Sequence, residues 1–263
     1  MALHLAMECN VVGVSFGCAG VDCGLGGGKV TPNTFWQRNL ADMRKKLDTE
    51  GPKEFLTWSS VQATMFVGEA PAVKPQFDYL MSANRTLWRR VMDEPGIGNP
   101  PRLSYAKWTS GQLVNQAFHI NQWMERTGKS VADLNTIFEF GAGYGSMALI
   151  CQRLGFEGKY LILDLDEPME LQRYYLGEIG IDFEHIELCE YVEPDLFISV
   201  CALSEVSLEI KDTVMLQART QSDLIVFQHQ WGDIDNKVYF SRWVDLEIFR
   251  HPLCRQFYGI GAA

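Results

Sequence analysis

Between residues 34 and 128, apolar side chains recur every three or four positions, the spacing of one helix face. Trp36, Leu40, Met43 and Leu47 predict a first helix, with Thr34 as its candidate cap. Phe77, Leu80, Met81, Leu87, Trp88, Val91 and Met92 predict a second, ended near Pro95-Gly96. Leu113, Val114, Ala117, Phe118 and Trp123 predict a third, stopped at Gly128. The stretch Gly98-Asn99-Pro100-Pro101 separates the last two. Residues 1–33 follow no period and are rich in glycine and cysteine.

Near Thr136 the pattern becomes short apolar runs alternating with amphipathic stretches. Thr136–Phe140, Lys159–Asp164, His185–Cys189, Asp195–Val200 and Leu224–Gln228 read as strands. Met147, Ile150, Cys151 and Leu154 mark a helix that ends at Gly155. Pro168 opens another, through Leu171 and Tyr175 toward Gly180, with Glu167 as a candidate cap. Ser207 caps a third, containing Ile210, Val214 and Leu216, and Cys254–Ile260 supplies one more strand. Such alternation builds a parallel sheet covered by helices on both faces. The chain thus divides into an irregular segment (1–33), a helical region (34–130) and an α/β region (131–263).

Composition narrows the partners. A formal charge of −10 repels a phosphate backbone or an anionic membrane, so neither nucleic acid nor membrane is expected. No apolar run approaches the ~18 residues of a spanning helix. Cys9, Cys18, Cys23, Cys151, Cys189, Cys201 and Cys254 form no paired spacing, which suits reduced thiols in a cytoplasmic protein. No basic segment introduces the mildly apolar N-terminus, so no signal peptide is expected. No metal site is expected either, since Asp233 and Asp235 read as solvated carboxylates.

Two glycine-rich stretches compete as ligand loops. Gly24-Leu25-Gly26-Gly27-Gly28-Lys29-Val30 resembles a phosphate loop, but Val30 stands where a magnesium-holding hydroxyl belongs. Glu139-Phe140-Gly141-Ala142-Gly143-Tyr144-Gly145-Ser146 follows a predicted strand and opens a predicted helix. Glycines there let the backbone turn sharply and approach a ligand closely. The spacing is G-x-G-x-G, not the G-x-G-x-x-G of a dinucleotide pyrophosphate site. Glu139, two positions before the first glycine, suits a ligand bearing an ammonium and a sulfonium. Asp164 closes the second strand 23 positions after Gly141, where a carboxylate can accept ribose hydroxyls. Asp166 and Glu167 stand close enough to compete for that role.

The Glu139–Ser146 stretch resembles motif I of class I S-adenosylmethionine-dependent methyltransferases. Tyr160–Pro168, followed by Leu171-Gln172-Arg173-Tyr174-Tyr175-Leu176, resembles the sugar O-methyltransferase family within that class, although Asp166 departs from its Asp-Leu-Pro pattern. The resemblance spans roughly residues 100–245. It implies a Rossmann-like, doubly wound, mostly parallel sheet. It also implies S-adenosylmethionine as cofactor, contacts from Glu139, Gly141, Gly143 and Asp164, and a sugar or glycan acceptor beneath the N-terminal helices.

Loops at the ends of later strands complete the candidate set. Cys189-Glu190 follows the third strand, and Glu190 is a candidate for the adenine edge. Ser204-Glu205 follows the fourth strand and His229-Gln230-Trp231 the fifth, so Ser204 and Trp231 are candidate acceptor contacts. Transfer to an alcohol requires removal of its proton, and His229 is the best base by intrinsic pKa. Glu205 can orient it, act as base itself or bind a hydroxyl. A nicotinamide-dependent oxidoreductase or epimerase is the competing class, disfavoured by the glycine spacing and the lack of a Tyr-x-x-x-Lys pair. A non-catalytic Rossmann-like binding protein is the other alternative.

Overall fold

The computed structural model describes residues 32–218, 222–243 and 245–262. The phosphate-loop-like stretch at 24–30 lies outside the described residues. Among the described residues four α-helices come first: α1 (Pro32–Glu50), α2 (Ser59–Thr64), α3 (Val73–Val91) and α4 (Gly111–Thr127). An α/β succession follows: β1 (Thr136–Phe140), α5 (Ser146–Arg153), β2 (Lys159–Leu163), α6 (Asp166–Ile179), β3 (Glu184–His185), β4 (Leu196–Val200), α7 (Leu208–Gln217) and β5 (Ser222–Phe227). A small hairpin, β6 (Gln230–Trp231) and β7 (Ile234–Asp235), leads into α8 (Asn236–Phe240) and a closing hairpin, β8 (Leu246–Arg250) and β9 (Phe257–Ala262).

The main sheet has the order β3-β2-β1-β4-β5-β9-β8. The first five strands are parallel, while β9 runs antiparallel to both β5 and β8. Strand order reverses between β1 and β4, the place beyond whose C-terminal strand ends open α/β sheets bind ligands. Alternate residues of each strand feed different faces. Ile137, Ile162 and Ile198 join a cluster that runs from Leu40 through α4 and α5 to Ile260. Phe138, Leu161 and Phe197 join a second, beneath α7 and α8. The helical N-terminal segment and the sheet therefore share one core. Trp58, Trp88 and Trp123 serve that core, and Trp123 Nε1 donates to Ser222 Oγ at 2.8 Å.

Expected and observed elements differ where local signals are ambiguous. Helix α1 begins at Pro32, which places Thr34 inside it rather than at its cap. Leu165 stands at the cap of α6 without a side-chain bond, and Glu167 lies in its first turn. Ser207 caps α7 as expected, accepting from Ile210 N. Strand β3 holds two residues, not the five from His185 to Cys189. Cys189 adopts a φ of 74°, and Gln217 on α7 binds both its amide and the Glu187 carbonyl, drawing the segment off the sheet. The final strand runs to Ala262, and β8 escaped the hydrophobic pattern. Gly259 and Gly261 break the alternation along β9. A Cβ on Gly261 would fall 2.6 Å from Asp223 Oδ2, so a larger residue there would have to displace that side chain.

Candidate active site

The turn after β1 is built on three left-handed glycines: Gly141 at φ 75°, Gly143 at 61° and Gly145 at 93°. Each is also tightly approached. A Cβ on Gly141 would fall 2.1 Å from Ala202 Cβ in the loop after β4, and one on Gly143 would fall 3.2 Å from Met65 Cβ. On Gly145 it would meet Leu176 of α6 at 2.9 Å. The turn is thus a side-chain-free cradle at the point where the strand order reverses, with its last glycine opening α5.

Two carboxyls flank the cradle. Asp164, just past β2, accepts from Gly143 N at 3.1 Å, from Leu165 N at 2.8 Å and from Gln172 Nε2 at 2.8 Å. Burial pushes its pKa up to about 7, against those three donors. Glu139, on β1 with 2% of its surface exposed, accepts from Tyr160 OH at 2.7 Å. Burial raises it to about 8, with the Tyr160 bond opposing and Asp164 adding to the rise. Asp166 is exposed and Glu167 is bound to Arg44, so Asp164 is the carboxylate the structure joins to the turn.

The N-terminal helices roof this end of the sheet. Trp36 Nε1 of α1 donates to Glu205 Oε2 after β4 at 3.3 Å. Arg44, two turns further along, reaches Glu167 at 3.3 Å and Glu170 at 2.5 Å on α6. Helix α1 is therefore tied both to the loop after β4 and to α6. Phe55 packs edge-on against Tyr144 and Tyr175. Gln112 fastens the segment after α2, accepting from Val67 N at 2.9 Å and donating to Ser146 Oγ at 3.2 Å. Gly111 has no room for a Cβ, which would fall 2.0 Å from Gly68 O. Sequence reasoning missed Trp36, Arg44, Met65 and Gln112 as site residues, because helical spacing marks a buried face without naming what it covers.

The acceptor-side candidates fall into separate places. His229, two residues past β5, is about half exposed and pairs with Asp235 at 3.4 Å. Its ring meets Phe257 edge-on. Glu205, a candidate to orient His229, act as base itself or bind a hydroxyl, accepts from Trp36, while the carboxylate beside His229 is Asp235. Asp235 also caps α8 by accepting from Val238 N. Ser204, expected to face the acceptor, has no exposed surface, and its hydroxyl donates to Cys201 O at 2.6 Å. Trp231 is buried in β6. Glu190 is exposed after β3, where its carboxylate accepts from Glu187 N. Among the described residues, no group of three or more metal-ligating side chains gathers.

The sheet, with an antiparallel strand inserted beside β5, has the Rossmann-like methyltransferase fold. No protein-family model matches the chain, and no curated protein matches it. Solved structures with similarity include the N-terminal domain of EvdMO1 with SAH bound, at TM-score 0.46 and 15% identity over 68% of this chain and 96% of that one. The ribosomal protein L11 methylase from Lactobacillus delbrueckii subsp. bulgaricus gives TM-score 0.42 and 17% identity over 57% and 80%. A SAM dependent methyltransferase from Aquifex aeolicus gives 0.41 and 13% over 54% and 87%. Similarities this distant carry no function across.

Proposed function

We propose that the chain is an S-adenosylmethionine-dependent O-methyltransferase whose acceptor is a hydroxyl of a sugar or glycan. The observation that carries the cofactor assignment is the glycine cradle with the Asp164 carboxylate bound to its central amide, Gly143 N. The cradle admits a ligand close to the main chain. Asp164 offers oxygens to ribose hydroxyls, and Glu139 lies beneath as a second acid. Two acids, with Ser146 where a dinucleotide loop has its third glycine, suit a cationic nucleoside, not a pyrophosphate. The sheet speaks against an oxidoreductase as well: a dinucleotide fold continues past β5 with a parallel sixth strand, whereas β9 is antiparallel.

The cofactor supplies a methyl group on a sulfonium sulfur, already an excellent leaving group. The chain must then align an acceptor and take its proton. His229 is the base in this proposal, with Asp235 holding the imidazole. Glu205 serves the roof through Trp36. Glu190, exposed beyond β3, takes the adenine edge. The sugar acceptor rests on the resemblance of the Tyr160–Leu176 stretch, and the net charge of −10 favours it over a nucleic acid.

The test offers methyl-labelled cofactor with nucleotide sugars, free glycans, RNA and protein extracts. Label is expected in the sugar fraction. His229→Ala should slow transfer by about 10²–10⁴-fold with cofactor affinity unchanged. Label in RNA or protein alone would remove the sugar acceptor. A normal rate in His229→Ala would remove the base.

A further inference from the structure

Gln172 on α6 has no exposed surface, and its polar bonds all close on the ligand end of the sheet. Its Nε2 donates to Gly143 O at 2.9 Å and to Asp164 Oδ2 at 2.8 Å. Its Oε1 meets His185 Nε2 at 2.8 Å. The amide has one tenable orientation, because the flipped form would set its oxygen against a carbonyl and a carboxylate. With Oε1 as acceptor, His185 must carry its proton on Nε2. One buried side chain therefore joins the turn after β1, the acid after β2 and strand β3.

We infer that Gln172 is the positioning residue of the cofactor site, holding Asp164 against the Gly143 amide so that its carboxylate meets the ribose hydroxyls. The inference rests on the cofactor assignment above. A buried carboxyl flanked by another acid needs donors to stay ionised and in place. Glu139 faces Asp164 from β1, and Asp166 and Glu167 open α6, the latter paired with Arg44. His185 on β3 is neutral at pH 7, because burial, with Arg173 adding to it, lowers it to about 4. The donors that favour the carboxylate are the amides of Leu165, Gly143 and Ala142 and the side chain of Gln172. Gln172 is the one among these that a substitution can remove without altering the main chain. Losing one hydrogen bond to a charged group moves such a titration by about one pH unit.

The test measures S-adenosylhomocysteine binding by the full chain across pH 5.5 to 9, with the Asp164 carboxyl followed by carbon NMR in ligand-free protein. Wild-type affinity should rise as Asp164 ionises. Gln172→Leu should weaken binding by about fivefold at pH 7 and move the midpoint up by about one pH unit in both readouts. Gln172→Glu keeps the shape and should move it at least as far, since a second carboxylate then faces the first. It also serves if the leucine variant does not fold. In an Asp164→Asn background the profile should flatten, and Gln172→Leu should add less than about twofold. Loss of melting temperature and affinity with the midpoint unmoved would reduce Gln172 to a packing residue and overturn the inference. A wild type without affinity at any pH would instead overturn the cofactor assignment, and this role with it.

Discussion

Glu139, buried on β1, and Asp164, just past the adjacent β2, both titrate well above the ordinary carboxylate range. Their protons come off as those of an interacting pair. A carboxyl raised on folding stabilises fully below its unfolded value and loses that contribution as pH climbs through the folded one. For Glu139 the window runs from 4.5 to about 8. Glu139→Gln should therefore match wild-type stability near pH 5. Near pH 9 it should exceed wild type by at least about 2 kcal/mol, given about 1.4 kcal/mol per unit of pKa difference. Urea unfolding at the two pH values checks this, and an equal effect at both would contradict it. At this scale Glu139, Gly141, Gly143 and Asp164 were legible, since a turn lacking side chains leaves a spacing in the sequence. Gln172 and Met65 were not, because their importance comes from the distant residues they touch.

Helix α1 shows what its periodicity hides. Leu40 and Met43 are buried, as the spacing predicts, yet Trp36 and Arg44 reach out to Glu205 after β4 and to α6. A roof fastened at two points should slow ligand escape. Trp36→Phe combined with Arg44→Ala should speed S-adenosylhomocysteine dissociation by about three- to tenfold, a size in keeping with one hydrogen bond and one part-exposed ion pair. Stopped-flow displacement checks it, and an unchanged off-rate would show that α1 is not a gate. The strand–helix alternation from β1 to β5 was readable because each unit carries its own period. Strand β8 was not, because its partner β9 carries Gly259 and Gly261, which interrupt the apolar alternation that marks a strand.

Across the described residues, the helical region and the sheet are welded by one cluster extending from Leu40 to Ile260, so the two share a frame. No described helix is long and apolar enough to cross a membrane. The fold class was legible in the order of elements. The pairing of site residues was not, since His229 with Asp235 and Trp36 with Glu205 are set by the small hairpin and by α1 rather than by strand ends alone. The central claim is that the Gly141–Gly145 turn holds S-adenosylmethionine. Its most direct test is calorimetry of wild type and Gly143→Val with S-adenosylhomocysteine and with NAD. A valine there meets Met65 and a φ of 61°, so melting curves must accompany the titration. Wild type should bind S-adenosylhomocysteine with micromolar affinity and give no heat with NAD, and a folded Gly143→Val should not bind. Normal S-adenosylhomocysteine binding by a folded Gly143→Val, or binding of NAD in its place, would contradict it.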